Sequence, residues 1–579
     1  MIPTYPACRD HFGIYPLGEL AERCSEKFGS ITALQWWNGH GYDGISYWDL
    51  SLRVDAIARW LMSQGIMPGD RVGIYAENSP EWGIAYLAIH RAGAVVVPID
   101  RMLPATSAAS IMQHAEIRIL FSECEYLERL DQVGDSPEIE TLVSFNICGK
   151  LDVVSFTDAE AEGVERTDDF PTRSLEDLAA ILYTSGTTGR SKGVMLSQRN
   201  LMSNVAASAQ LTNLGPGDAI LVLLPMHHAL QCTNGFLHPL YIGMTLTFAR
   251  RLRSAEILAD IRDARITVMG SVPLMFEKMH KRMLQTVRQR GVVVGALFKV
   301  MMGLARLGEM LGVNLGRIFF ASVRRKGGIG SIKYFITGGA AIDPKTSRFF
   351  TLLGIPMIQG YGLTETSPVT HFTPLNKIRH GCVGMTVPGV EAKIFDPGED
   401  GVGEICIKGP NVFLGYYLDD AATEEVMDEE GWLHTGDLGI IYSDGFLQIT
   451  GRKKNVIVTS GGKNVYPEDV EHHLNRCPFI AESLVRPYSL TNGREEVAAL
   501  VYPDYEELGL RFGEGKVPQG LDLLKFLRGE AKHYLRDLPK YSGVRRFGLA
   551  KEEFQKTTTL KVKRFLYSGA FEEYSAAIL

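Results

Sequence analysis

No C-x-x-C pair occurs in the 579 residues, and the eight cysteines follow no framework spacing. That excludes a zinc-knuckle signature and predicts reduced, mostly buried thiols, as in a cytosolic protein. An excess of positive charge is also missing. Lys and Arg number 60 against 67 Asp and Glu, a net charge of −7, so no nucleic-acid partner is expected. The first 25 residues carry no basic stretch leading into an apolar run, so no secretory signal is read there. The longest stretch without Asp, Glu, Lys or Arg runs 31 residues, from Ala219 to Ala249. Pro225, Pro239, three histidines, Gln231 and Asn234 interrupt it, so strand, loop, helix and strand are predicted rather than a membrane span. A cytoplasmic location follows, with peripheral contact at the inner face of a membrane at most. No repeat of solenoid period occurs, and 45% apolar with 22% charged residues excludes a disordered or fibrous chain.

What is present is a regular alternation. Helical spacing is read over Leu17 to Lys27, Ser46 to Gln64 and Glu81 to Ala92, with short apolar strands at Arg71 to Tyr75 and Ala94 to Pro98. The rhythm recurs at Ile266 to Met269 and Ile332 to Ile336, which predicts an α/β fold with parallel, helix-flanked sheets. After Asp396 the texture changes to short strands between Gly and Asp turns, GEICIKG and GFLQITG, and from about Asn455 mixed helices and strands return. The turn from Gly451 to Lys454 is the candidate boundary between a region 1–452 and a region 453–579; an ordinary hairpin turn within one domain reads equally well there.

The stretch YTSGTTGRSKG, Tyr183 to Gly193, follows the apolar strand Ala179 to Leu182. Its glycines, hydroxyls and lysine suit a loop whose N–H groups surround a phosphate. It departs from the Walker pattern, having Ser191 where that pattern has glycine before the lysine. Gly189 to Gly193 also matches G-x-S-x-G, but a second strand, Val194 to Ser197, follows where a nucleophile elbow needs a helix. A phosphate loop, a solvated Gly/Ser hairpin and an elbow remain the three readings of these residues alone.

YTSGTTGRSKGVMLS resembles the signature of the adenylate-forming superfamily, which holds acyl-CoA synthetases, firefly luciferases and peptide-synthetase adenylation domains. Four further segments follow in the family's order: TGGAA from Thr337 to Ala341, YGLTET from Tyr361 to Thr366, GWLHTGD from Gly431 to Asp437, and GRKK from Gly451 with SGGKNVYPEDVE from Ser460 to Glu471. With the upstream Tyr47 to Pro98 region, the resemblance covers nearly the whole chain.

The resemblance implies a large N-terminal region of two helix-flanked β-sheets plus a small distorted β-barrel, then a small mobile α+β domain. It implies ATP, Mg²⁺ and CoA as co-substrates and cofactor. Thr184, Ser185, Gly186, Thr187, Thr188, Gly189 and Lys192 would hold the β- and γ-phosphates. Glu365 looks like the Mg²⁺ carboxylate and Thr364 like the α-phosphate contact. Tyr361, followed by Gly362, is similar to the tyrosine stacked on adenine, and Gly339 with Ala340 lines the base and acyl pocket. Asp437 would take the ribose hydroxyls and Arg452 would lie near ribose and phosphate. Lys561, in TTTLKVKR with Arg564 three residues on, matches the lysine that reaches the reacting phosphate. Leu560 stands where the family usually has glycine, which leaves Lys563 as a rival. Lys454 matches the hinge, and Gly461, Gly462 and Lys463 the face that lines the thiol's approach. Singly, each residue has a plainer reading: Tyr361 a core aromatic, Asp437 a turn cap, Glu365 a surface carboxylate.

His228, in LPMHHA, occupies the position that gates the family's acyl pocket; a histidine packed under a loop is the plainer alternative. Residues 278–333 hold twelve Lys and Arg against one acid, Glu309, a net +11 that leaves −18 for the remainder. Val294, Leu297, Phe298, Met301, Leu304, Ala305 and Leu311 are predicted to share one helical face there. Such a basic amphipathic segment resembles, in shorter form, the insertion of long-chain acyl-CoA synthetases and suits an anionic membrane surface; a packing helix or an acidic protein partner fits the charges too. The function implied is a fatty acid–CoA ligase working through an acyl-adenylate. The alternatives are a ligase that loads a carrier protein, one for aryl or medium-chain acids, or a non-catalytic nucleotide or acyl binder.

Overall fold

A computed structural model describes residues 13–133, 138–149, 151–185, 191–459, 463–489, 495–513, 515–557 and 562–579. The chain divides into two units. The first comprises Met1–Ala392, Ile407–Leu433 and Ser443–Phe446; the second comprises Lys393–Cys406, His434–Tyr442 and Leu447–Leu579.

Two large sheets build the first unit. In one, the six strands Thr32–Trp37, Thr245–Phe248, Ala219–Val222, Val268–Ser271, Tyr334–Thr337 and Met357–Gly362 run parallel side by side. Antiparallel strands Tyr42–Ser46 at one edge, and Val369–Phe372 with Met385–Thr386 at the other, complete its nine. In the other sheet, Leu178–Ser185, Val95–Pro98, Arg71–Tyr75, Ile117–Ser122, Thr141–Ser144 and Val154–Ser155 are parallel. Ser191–Ser197 and Gly415–Tyr416 add antiparallel strands at its edge. Parallel strands are buried on both faces, and the runs Val95–Pro98 and Ala219–Val222 are buried at every residue. The Ala219 to Ala249 stretch is strand, helical turns and strand as expected, and among the described residues no helix is long and apolar enough to cross a membrane.

Local chemistry starts the helices where the hydrophobic period does. Ser46 and Ser197 each form a capping box, with Asp49 and Asn200, at the heads of Tyr47–Ser63 and Gln198–Leu211. Ser79 caps Pro80–Arg91, whose first residue is the proline that a first helical turn tolerates.

The β-rich stretch after Asp396 is a four-stranded sheet in the order Glu391–Phe395, Gly403–Lys408, Leu433–Ile441 and Leu447–Arg452; among the described residues it is a sheet and not a closed barrel. All but its end residues fall in the second unit. The rest of that unit is a sheet of Ile480–Ser489, Glu495–Pro503, Arg546–Ala550 and Ser575–Ile578, with helices Pro467–Asn475 and Gly520–Tyr534 packed into one core through Val470, Leu474, Leu523, Leu524 and Leu527.

Two further expectations change. Cys124 and Cys148 form a disulfide, against the expected all-reduced set; Cys24, Cys232, Cys382, Cys406 and Cys477 are buried and outside any disulfide. Spacing along the chain does not reveal the pair because the fold creates it. Cys124 follows Ile117–Ser122 and Cys148 follows the neighbouring strand Thr141–Ser144, whose last residues, Ser122 and Ser144, are in register. The second change concerns helix Val292–Met310. Phe298, Met301, Met302 and Ala305 pack on the core that holds Phe320 and Phe349, whereas Val294, Leu297, Leu304 and Leu311 are exposed. The single apolar face read from the sequence is therefore two faces. The helix is apolar almost all round, so its period could not say which side turns inward.

Candidate functional site

The hairpin Leu178–Ser185/Ser191–Ser197 carries the glycine- and hydroxyl-rich loop at its tip, with Thr184 opposite Lys192 and Ser185 opposite Ser191. Gly186, Thr187, Thr188 and Gly189 lie outside the described residues. Gly193 is where a side chain would not fit, since a Cβ would stand 2.9 Å from Ile181 Cγ2. The segment after Pro410 is laced onto this hairpin. Asn200 Nδ2 donates to the Pro410 and Val412 carbonyls at 2.8 Å each, the Leu414 amide to Met195 O at 2.9 Å, and the Tyr417 amide to Gly193 O at 2.7 Å.

That lacing delivers Tyr416 between two of the expected residues. Its hydroxyl donates to Glu365 Oε1 at 2.9 Å, and Lys192 Nζ lies over its ring at 4.7 Å from the centroid. Burial, and then the Glu365 charge, push the Tyr416 phenol well above its ordinary value, so it stays a neutral donor. Glu365 is also held through its backbone, its carbonyl accepting from the Phe413 amide at 2.9 Å. Tyr416 was not read from the sequence; in NVFLGYY, Asn411 to Tyr417, nothing but the pairing with Ser191–Ser197 singles it out.

The turn ahead of Glu365 is built for one backbone path. Gly362 admits no side chain, because a Cβ would lie 1.7 Å from Pro368 O. Thr366 Oγ1 accepts from the Leu363 amide at 2.9 Å and donates to Pro368 O at 2.7 Å, which closes Thr364–Thr366 into one helical turn with Thr364 half-buried. Tyr361 is buried, with its ring 5.9 Å from that of His371, and burial lowers His371 to about 3, so the imidazole is a neutral packing partner. Thr337 and Gln359 are in register on neighbouring strands, which brings the Gly338 to Ala340 loop alongside Gly360. Gly339 (φ +80°) and Ala340 are exposed there, and a Cβ on Gly338 would meet Gly360 O at 3.2 Å and Leu230 Cδ2 at 3.4 Å.

Leu230 lies two residues beyond His228, which is half-buried with its ring 4.2 Å from that of His227. Asn78 fixes this loop by accepting from the Met226 amide at 2.8 Å and donating to Leu224 O at 2.7 Å. Burial, reinforced by His228 and Arg101, holds His227 well below the ordinary histidine range, with its Nε2 3.4 Å from Asp100 Oδ1. The sequence reading missed Asp100 and His227, which the meeting of the two large sheets' loops brings together.

In the second unit, Asp437 and Arg452 are cross-strand partners, and Arg452 Nε donates to Asp437 Oδ1 at 2.8 Å. Asp437 is buried while the arginine side chain is half exposed. Below them Glu404, also missed in the sequence, receives Lys453 Nζ at 2.8 Å, His434 Nδ1 at 3.2 Å and the Gly436 amide at 3.1 Å. Burial works against its charge, but these partners together hold Glu404 below the ordinary carboxylate range. Lys454 is exposed in the turn Lys453–Asn455, and Lys463 is exposed beside the hairpin Ile457–Val458/Asn464–Val465. Gly461, Gly462 and Lys561 lie outside the described residues. The residues after Lys561 are anchored: the Lys563 amide donates to Gln555 O at 2.8 Å, and Arg564 pairs with Glu471 and donates to Val485 O at 2.9 Å. Burial raises Glu471 to about 7 even with Arg564 beside it.

The AMP-binding enzyme family model matches residues 21–417. Among curated proteins, long-chain-fatty-acid–CoA ligase FadD15 of Mycobacterium bovis is 30% identical over 561 residues, 91% of this chain and 90% of the relative. Long chain acyl-CoA synthetase 6, peroxisomal, of Arabidopsis thaliana is 30% identical over 469 residues, and that match spans 77% of this chain and 66% of the relative. Among solved structures, ATP-bound MatB from Rhodopseudomonas palustris superposes with a TM-score of 0.74 at 27% identity, covering 95% of this chain and 98% of its own.

Proposed function

The chain belongs to the AMP-binding enzyme family, and on that premise we propose that it is an ATP-dependent fatty acid–CoA ligase, with long chains its preferred substrates. The observation that carries the proposal is the Lys192–Tyr416–Glu365 cluster beside the glycine-rich hairpin: a cation and a carboxylate placed on one buried phenol, in a chain whose curated relatives include long-chain acyl-CoA ligases.

In the first half-reaction a carboxylate oxygen of the fatty acid attacks the α-phosphorus of ATP, and the bond to pyrophosphate breaks. The substrate is its own nucleophile, so the protein's part is alignment and charge neutralisation. Lys192 and the 184–189 loop hold the β- and γ-phosphates, Thr364 the α-phosphate, Tyr361 and the 339–340 loop the base, Asp437 the ribose hydroxyls and Arg452 the ribose and phosphate. Lys561 meets the charge that develops at the reacting phosphate. Glu365 fits a hard cation: its Oε1 is held by the Tyr416 hydroxyl, and the other oxygen is the donor Mg²⁺ prefers alongside substrate phosphates. Bound there, the ion supplies further neutralisation of the triphosphate. In the second half-reaction the CoA sulfur attacks the acyl carbonyl and AMP leaves. His228 gates the acyl end, and a swing about Lys454, between regions 1–452 and 453–579, replaces Lys561 with the Gly461, Gly462 and Lys463 face.

The test is fatty-acid-dependent exchange of labelled pyrophosphate into ATP, then acyl-CoA formation with CoA as the only thiol, over acids of graded length. Lys561→Ala is expected to lower exchange by about two orders of magnitude or more, a transition-state charge contact being worth roughly 3 kcal/mol; Lys563→Ala is expected to leave it near parental. Exchange without acyl-CoA identifies a ligase for a carrier protein, exchange with aryl acids alone an aryl acid ligase, and no exchange with any acid a nucleotide binder.

A further inference from the structure

Asp100 and the sequence neighbours His227 and His228 form a cluster that the catalytic reading does not use as a unit. Each offers one ligand atom, and these atoms lie within 4.8 Å of one another. Among the described residues no other three histidine, cysteine, aspartate or glutamate side chains bring their ligand atoms so close. Two strand ends supply them. Asp100 follows Val95–Pro98 in one large sheet and the histidines follow Ala219–Val222 in the other. Both are carboxyl ends of parallel strands, where open α/β sheets place their ligand sites. The turn that closes with the His228 amide on Pro225 O at 3.2 Å sets the two imidazoles side by side, 4.2 Å between ring centres. Asn78 clamps that turn through Leu224 and Met226, and the Met102 amide donates to Asp100 Oδ1 at 2.9 Å, so both halves of the cluster are held in place.

The decisive atom is His227 Nε2. It is buried and makes no hydrogen bond among the described residues, although Asp100 Oδ1 stands 3.4 Å away. A buried polar atom of this kind calls for a partner. The 3.4 Å separation is long for an N–H···O bond, yet it is the edge of a metal tetrahedron. With metal–nitrogen and metal–oxygen bonds of about 2.0–2.2 Å, ligand atoms sit about 3.3–3.5 Å apart. His228, half-buried, closes the remaining span by turning about its side-chain bonds. Arg101, the nearest cation in sequence, is paired with Glu77 at 2.8 Å.

We propose that Asp100, His227 and His228 bind a divalent cation of the zinc class, with three protein ligands and a fourth position left to water. Two imidazoles and one carboxylate suit zinc or cobalt, whereas Mg²⁺ prefers oxygen donors alone, so this site differs in chemistry from the ion on Glu365. Bound there, the cation ties the loops of the two large sheets together. If His228 gates the acyl end, the same cation holds the gate, and zinc inhibition that rising fatty acid relieves is expected. That consequence rests on the proposed function; the binding does not.

The experiment is titration of the full chain with Co²⁺ in excess Mg²⁺, followed by displacement with Zn²⁺. The expected results are one Co²⁺ per chain, the strong visible absorption of four-coordinate cobalt without a thiolate band, and thermal unfolding raised by Zn²⁺. Asp100→Asn keeps the side chain's shape and an acceptor for the Met102 amide, and is expected to weaken Co²⁺ binding about a hundredfold and to abolish the thermal shift. His227→Gln and His228→Gln are expected to lose as much, and His40→Gln, at an exposed histidine, to bind as the parent does. Should His227→Gln unfold, the Asp100 and His228 variants decide. No binding, a six-coordinate spectrum that Mg²⁺ displaces, a thiolate band, or parental affinity in those two variants would each overturn the proposal. Co²⁺ bound at the triad without zinc inhibition of acyl-CoA formation keeps the site and removes the gate, so the two readings fail separately.

Discussion

Removing one oxygen tests whether Tyr416 organises the phosphate site. Tyr416→Phe keeps the ring beneath Lys192 and deletes only the hydroxyl that donates to Glu365 Oε1 at 2.9 Å. A hydrogen bond to a charged acceptor contributes about 1.5–3 kcal/mol, and Glu365, half-buried and held through its carbonyl by the Phe413 amide, has little freedom to find a new partner. If the bond aims the carboxylate at the ion on ATP, the loss appears in adenylation as roughly a tenfold to hundredfold fall in kcat/KM for ATP, with the Mg²⁺ concentration for half-maximal rate shifted upward. Tyr416→Leu is expected to lose more, because the surface beneath Lys192, worth about 0.5–1 kcal/mol, goes too. The assay is pyrophosphate exchange across an Mg²⁺ series, with thermal unfolding measured alongside. A Phe variant with parental kcat/KM and an unshifted Mg²⁺ dependence refutes the reasoning; so does a loss that Mg²⁺ cannot move, since that points to packing.

Two further predictions separate conformational from electrostatic effects. Lys454→Pro fixes the backbone at the proposed hinge, so acyl-CoA formation from added acyl-adenylate is expected to fall at least about tenfold while pyrophosphate exchange stays within about a factor of two; equal loss of both half-reactions counts against the hinge. Glu123 is raised to about 7 by burial, against the opposing hydrogen bond from the Glu77 amide and the Arg101 charge, with the Glu77 carboxylate adding a smaller push upward. A carboxyl raised in the folded state holds its proton there while the unfolded chain has lost it, so stability falls as pH rises from about 4.5 to about 7 and is flat above. Discounted for its partial exposure, the slope amounts to about 1–2 kcal/mol in all, and Glu123→Gln is expected to flatten it in denaturant titrations across that range. Parallel pH profiles for parent and variant exclude the assignment.

Strands announced themselves wherever burial on both faces made them continuously apolar, as at Val95–Pro98 and Ala219–Val222, and helices wherever a serine cap preceded a hydrophobic period, as at Ser46 and Ser197. Lys192 and Glu365 stood out through the composition of their motifs. Tyr416 did not, because what joins it to Glu365, 51 residues away, is an edge-strand pairing that no local pattern encodes. Glu404 stayed hidden for the same reason, being one carboxylate in a short strand whose partners Lys453 and His434 come from two other strands and turns. The Cys124–Cys148 bond depends on two neighbouring strands ending level. On helix Val292–Met310 the sequence carried apolar residues on every side, and only packing could choose between them.

The lacing of Pro410 to Tyr417 onto the Ser191–Ser197 strand has a consequence during synthesis. That strand leaves the ribosome 220 residues before the last of the partners that cover it, and translation at about 5–20 residues per second leaves its edge open for roughly ten to forty seconds. An uncovered strand containing Val194, Met195 and Leu196 is a template for pairing with another nascent chain. The yield of native protein therefore depends on chaperone occupancy over that interval, and synonymous codons that slow elongation between 197 and 417 lower it without altering a single side chain.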